Sequence, residues 1–326
     1  MTAVVSRRPS GPAGLEVPAM ALGSWHTWDR AVFEEAVQIV KRAVDVGAAM
    51  FDVGVYRAGF DTTPHDSPTD IVLARAVQVA GVSRADYVLS VKGWLGPDSS
   101  ASNLGMQVDE VLLRHGTDHA DLMILGGIAD ESAFDVEAVV ERVHDVVRAG
   151  KVRYWGINNW SAANVRAAQE AARRQGLDAP QVAQMVYGLA HRTVCEGEPF
   201  TALCAETGLS LQASNVFDGG VLLGKGTDRH VAGDIHGTQA AIRAAQSRLG
   251  EVARSLGATP AQFGFALPLT HPATVNVLVG LRTMGQLEDL IGAFALVERL
   301  GADRIREAAD EFWFDRGRAD PASGGE

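Results

Sequence analysis

Eight short runs rich in Val, Ile, Leu and Ala recur along this chain, and between successive runs lie stretches with helical periodicity. The runs read AMALGSW, AAMFDVGV, YVLSVKGW, ADLMILGG, VRYWGINNW, APQVAQMVY, LSLQASNVF and VNVLVGLR. Each is apolar throughout rather than at alternate positions, so each strand needs cover on both faces, as in a parallel sheet lying under helices. The intervening segments, such as FEEAVQIVKRAVDVG and VEAVVERVHDVVRAGK, space their apolar residues three and four apart. Several stop at a glycine (Gly47, Gly150, Gly176, Gly208), where a left-handed turn closes a helix. Parallel strands with crossover helices either spread as an open sheet or close on themselves. Eight repeats fit the closed (β/α)8 barrel. The open, doubly wound alternative calls for GxGxxG after its first strand, and none is there.

A chain of 326 residues, 47% hydrophobic, can bury one large core, so residues 1–326 are expected to form a single barrel domain with loose ends at 1–14 and 316–326. The net charge of −11 repels a phosphate backbone or an anionic membrane surface, which argues against nucleic acid and membrane as partners. Cys195 and Cys204 make no disulfide framework or zinc spacing, and the N-terminus carries no apolar signal core. A cytoplasmic protein acting on a small molecule is the expectation. Nothing in the sequence points to an oligomeric state.

In such a barrel, chemistry gathers where strands end and βα loops begin. The polar and aromatic residues there are Ser24, Trp25 and His26; Asp52 and Tyr56; Lys92 and Trp94; Asn158, Asn159 and Trp160; Gln184 and Tyr187; Asn215 to Asp218; and Arg282. His26 and His65 fall in different loops without ligand spacing, so no metal site is expected.

In order along the chain, AVDVGAAMFDVGVY, YVLSVKGW, HADLMILG, RAGKVRYWGINNWSAANV, GLSLQASNVFDGGVLLGK and ATPAQFGFALPLTHPATVNVLVGLRTMGQLED resemble the aldo-keto reductase family over about residues 15–300. The resemblance implies an NADP(H)-dependent barrel in which an Asp, a Tyr, a Lys and a His surround a carbonyl oxygen. Asp52 and Lys92 match the family's Asp and Lys. Tyr56 is the only proton donor available to match the tyrosine, although the family spaces its Asp and Tyr one residue farther apart. A lysine ammonium close to the phenol would acidify it, with Asp52 keeping the lysine charged and placed.

The family histidine falls on Gly126. Three consequences stay open: a substrate group or water fills the gap and ordinary carbonyl reduction slows; hydride goes instead to a conjugated C=C or C=N; or the barrel has a redox-silent role as a lyase, isomerase, cyclase or binding protein. An accessory role like that of the family's channel-associated members is disfavoured, because no sequence feature suggests an assembly partner.

By the same resemblance Gly23 and Ser24 flank the cofactor, Asn158 and Asn159 replace the Ser–Asn pair that holds its carboxamide, and Gln184 matches the glutamine beside them. Ser214 stands where an aromatic normally underlies the nicotinamide, with Phe217 a substitute. The loop Asn215, Val216, Phe217 and Gly219 would meet the pyrophosphate. Gly280, Arg282, Gln286 and Asp289 match the adenosine end, Arg282 selecting NADP by its 2′-phosphate, while Leu290 replaces the adenine-contacting Asn. Trp25, His26, Trp94, Gly126 and Trp160 would line a pocket for a hydrophobic or ring-containing substrate. The polar loop RAGFDTTPHDSPTD is long enough to cover the mouth, and residues 225–239 read as mobile.

Overall fold

The computed structural model describes residues 5–57, 66–96, 98–128, 133–225 and 234–324. Eight parallel strands close into a barrel: β3 (Met20–Gly23), β4 (Met50–Val53), β5 (Val88–Trp94), β6 (Ala120–Gly126), β7 (Val152–Asn158), β8 (Val182–Val186), β9 (Ser210–Ser214) and β10 (Thr274–Val279), which pairs back onto β3. Each falls on an apolar run of the sequence, β10 starting one residue before its run. Burial is nearly complete along β5, β6 and β8, as continuous apolar composition requires of strands covered on both faces. Where β7 passes β8, a Cβ at Gly156 would stand 2.3 Å from the Val182 carbonyl oxygen, so only glycine permits that approach.

The helices α1 (Phe33–Val46), α2 (Thr69–Ala80), α3 (Leu104–His115), α4 (Val136–Arg148), α5 (Ala162–Gln175), α6 (Thr193–Glu196), α7 (Glu198–Thr207), α8 (Gln239–Ser255), α9 (Pro260–Leu269) and α10 (Met284–Ala309) lie between and after the strands. In α4, Val139, Val140, Val143 and Val146 form the buried stripe, and Asp135 caps the first turn by accepting from the Ala138 N–H at 3.1 Å. Each fully buried valine contributes roughly 1.5–3 kcal/mol of transfer free energy. No helix among the described residues is long and apolar enough to cross a membrane.

Both ends depart from the loose segments expected of them. β1 (Arg7–Ser10) and β2 (Leu15–Pro18) form an antiparallel hairpin across the barrel's N-terminal end. Leu15 and Val17 join Met50, Leu122, Ile124 and Val182 in one apolar cluster. Three polar ties hold it: Arg8 Nη1 to the Thr274 carbonyl, Gly11 N–H to Ser210 Oγ, and Ala13 N–H to Gln181 Oε1, each 2.8 Å. Arg7, Arg8 and Pro9 occupy a two-stranded edge with few ladder bonds to lose. At the other end, the chain beyond α10 returns over the C-terminal face, where Phe314 and Asp315 N–H both reach the Ala190 carbonyl at 3.2 Å. Residues 1–4 and 325–326, most of the loop after β4 expected to cover the mouth, including His65, and residues 226–233 lie outside the described residues, whereas residues 234–239 of the segment expected to be mobile form a tight turn with Ile235 and Thr238 buried.

Candidate active site

At the barrel's C-terminal end the buried polar side chains form one network. Asp52, from β4, accepts from Ser90 Oγ at 2.8 Å and from Lys92 Nζ at 2.7 Å. Lys92 also donates to Gln184 Oε1 at 2.5 Å, and Gln184 Nε2 donates to Gln212 Oε1 at 2.5 Å. Asn158 Nδ2 reaches Gln184 Oε1 at 3.1 Å. Lys92 is 6% exposed; burial lowers its ammonium pKa, and the Asp52 carboxylate opposes that shift. The Asp52–Lys92 pair expected from the sequence is therefore present, and Gln212 is a member the sequence did not single out.

Tyr56 is buried beside this pair. Its phenol folds over Gly54, where a Cβ would stand 2.8 Å from the Tyr56 hydroxyl and 3.1 Å from Lys92 Cγ. The hydroxyl shares a hydrogen bond with the Ser24 side chain. Burial, then the Asp52 charge, push this phenol well above its ordinary range, and the Ser24 bond only partly offsets them. The Lys92 ammonium donates to Asp52 and Gln184.

The space left by the missing imidazole is not open. The Trp94 indole lies on Gly126: a Cβ there would stand 2.8 Å from Trp94 Cζ3 and 3.2 Å from Asn158 Oδ1. Gln107 of α3 fixes the Trp94 backbone from both sides, accepting from its N–H at 2.9 Å and donating to its carbonyl at 2.8 Å. Trp25 and His26 pack together at 4.9 Å between ring centroids and are, like Trp94, half-buried at the mouth. Trp160 differs from this set. It is 2% exposed and packs edge-on to Phe134 at 5.1 Å, under the loop rather than in the opening.

The positions assigned to a cofactor divide into engaged and available groups. Gly23 and Ser24 close β3, and Ser24 Oγ accepts from the Gly54 N–H at 3.2 Å. Asn159 holds a left-handed backbone (φ 54°), and its Oδ1 accepts from the Val186 N–H at 3.0 Å. After β9, Asn215 (φ 50°) accepts from the Gly219 N–H through its side chain at 3.0 Å, and Asp218 to Gly220 are all left-handed. Four left-handed non-glycine residues at three of these strand ends, His26, Asn159, Asn215 and Asp218, mark the strain that functional loops carry. Val216 is buried, and the Phe217 ring packs on Gly264 of α9, so Phe217 does not face the mouth as a stacking partner would. Ser214 Oγ donates to the Met185 carbonyl. Gln286 caps α10 with Thr283, and Asp289 accepts from the Thr259 hydroxyl at 3.0 Å, so both serve helix ends. Gly280 packs against Thr27 and Leu290 is buried.

Arg282 stands apart from these. Its guanidinium depresses the neighbouring Lys225 ammonium, second to burial, and among the described residues neither side chain has a carboxylate partner. These two cations, in the segments that follow β9 and β10, have the chemistry to attract an anion. Lys225 is the residue that the sequence reading passed over, although it closes the quoted stretch GLSLQASNVFDGGVLLGK. A bowl of about 570 Å³ between Arg84, Leu113 and His119 lies at the opposite end of the barrel. It gathers no free chemistry there, because Arg84 is held by the Tyr87 and His119 carbonyls and by Asp121.

The model of a family described as the aldo/keto reductase family matches residues 19–309. Among individual proteins, the chain is 25% identical to a putative voltage-gated potassium channel subunit beta of Schizosaccharomyces pombe, covering 91% of this chain and 90% of that one. It is 26% identical to probable voltage-gated potassium channel beta subunits of Arabidopsis thaliana and of Oryza sativa subsp. japonica, in each case over 89% of this chain and 91% of the relative.

Proposed function

This chain belongs to the aldo/keto reductase family, and on that footing we propose that it is an NADP(H)-dependent reductase acting on a planar or hydrophobic small molecule. The observation that carries the reading is the Lys225–Arg282 pair, two neighbouring cations without an acid among the described residues, which suits the phosphates of NADP. Asn158 and Asn159 stand at the strand end where a carboxamide would be held. When bound, NADPH supplies a hydride. The chain's own contribution is the proton, held on the Tyr56 hydroxyl beside Ser24, and the exclusion of water by Trp25, His26 and Trp94. With Trp94 on Gly126, no imidazole donor polarises a carbonyl, which favours an acceptor that needs it less, a conjugated C=C or a C=N.

Fluorescence titration with NADPH tests the reading. Binding tighter than about millimolar, roughly −4 kcal/mol, supports it, and no binding ends it. A second reading, a barrel that binds cofactor without turning it over, draws on the elevated Tyr56 phenol and on the channel-subunit names of its relatives. NADPH bound tightly but never oxidised across aldehydes, enones and imines would favour it.

A further inference from the structure

The segment after α10 is the part of the molecule that the proposed chemistry leaves unused, and it is tied to three loops of the mouth. The Asp315 carboxylate accepts from the Arg192 and Thr193 N–H groups and, at 2.9 Å, from the Thr193 hydroxyl. Arg318 Nη1 donates to the Gly237 carbonyl at 2.7 Å. Farther on, the Ala322 carbonyl accepts from the Ala162 N–H at 3.3 Å, satisfying one of the amides that a helix start leaves without an internal partner. Gly324 then abuts Asn159 so closely that a Cβ on it would stand 2.0 Å from the Asn159 carbonyl oxygen.

Asn159 is one of the left-handed residues of the mouth, and the one that this segment reaches. It sits at φ 54°, a conformation that costs a side-chain-bearing residue energy and persists only where the surroundings fix it. On one side β8 fixes it, through the bond from Asn159 N–H to the Gln184 carbonyl at 3.0 Å. On the other side stands Gly324, where only a residue without Cβ can come so near.

We propose that residues 313–324 form a strap, anchored at Asp315, that positions Asn159 and thereby the carboxamide end of the cofactor seat. Asp315 and Gly324 are positioning residues: they act through Asn159 and touch no substrate. This inference rests on reading the mouth as an NADP(H) site, and it is tested so that the two can fail separately. NADPH carries both ends of the cofactor, whereas adenosine 2′,5′-bisphosphate carries the phosphate end alone. Calorimetry on the full chain compares both probes with the native protein, Gly324→Ala, Asp315→Asn and Asp315→Glu.

Gly324→Ala displaces the strap without touching a charged group and is expected to weaken NADPH about tenfold while leaving the bisphosphate unchanged. Asp315→Asn is expected to give the same split, and Asp315→Glu to restore native binding. Should Asp315→Asn unfold, Gly324→Ala decides the matter alone. A native chain that binds both probes, with Gly324→Ala changing neither or weakening both alike, overturns the strap and leaves the cofactor reading intact. A native chain that binds neither overturns both.

Discussion

The Trp94 indole occupies the position that a side chain at residue 126 would need, with Cζ3 2.8 Å from where that Cβ would stand. The loss of the family histidine and the placement of this tryptophan are one structural event, because the ring could not lie there over any larger residue. Gly126→His alone is therefore expected to destabilise the fold by roughly 1–3 kcal/mol, the range for overpacking, and to gain no aldehyde reduction. Adding Trp94→Ala is expected to make room for the imidazole and raise turnover of small aldehydes. Thermal melts and aldehyde assays on the single and double variants check this. A single variant with native stability and raised aldehyde turnover would show that the indole is not in the way.

Arg282→Ala and Lys225→Ala should each weaken NADPH by about 1.5–3 kcal/mol, as loss of a charge-assisted bond does, and leave NADH nearly unchanged. Paired titrations with the two cofactors measure it. Equal losses for both would mean that these cations do not read the 2′-phosphate.

Tyr56→Phe removes the only hydroxyl assigned to proton donation and keeps the ring that packs over Gly54. Turnover should fall by at least about 100-fold while NADPH affinity stays within a few-fold of native. Near-native turnover in this variant would place the proton elsewhere.

Acid should weaken the fold through His115, at the end of α3. Burial first, then the Arg84 charge, lower its imidazole to about 4 from an ordinary 6.5. Between those values the unfolded chain binds the proton more readily than the folded one, so stability declines as pH drops through this window, by roughly 2 kcal/mol at pH 5. Urea unfolding at pH 7 and pH 5 reads the difference. His115→Gln should flatten that dependence, and an equally steep response in the variant would assign it to other groups.

The barrel was legible because its signal is repeated: AMALGSW and the seven runs after it each became a strand, and polar residues at their ends became the mouth. What each polar side chain does there was not legible, because it depends on neighbours distant in sequence. Gln184 matches a carboxamide-binding glutamine by position, yet it lies among Lys92, Asn158 and Gln212, which come from three other strands. Gln286 and Asp289 read as adenosine contacts and are held by helix starts at Thr283 and Thr259. The hairpin and the strap escaped notice for a different reason: their segments are short, carry Pro, Gly and Arg, and gain their order from single contacts such as Ser210 Oγ and the Asn159 carbonyl.

The hairpin across the N-terminal end seals the strand ends opposite the mouth. Leu15 and Val17 complete the apolar cluster behind the strands, and Arg8, Gly11 and Ala13 bolt the turn to β8, β9 and β10 or to the residues just before them. On the reading proposed above, a cofactor and its acceptor would share the mouth at the C-terminal strand ends, and the one lodged deeper would arrive first and depart last.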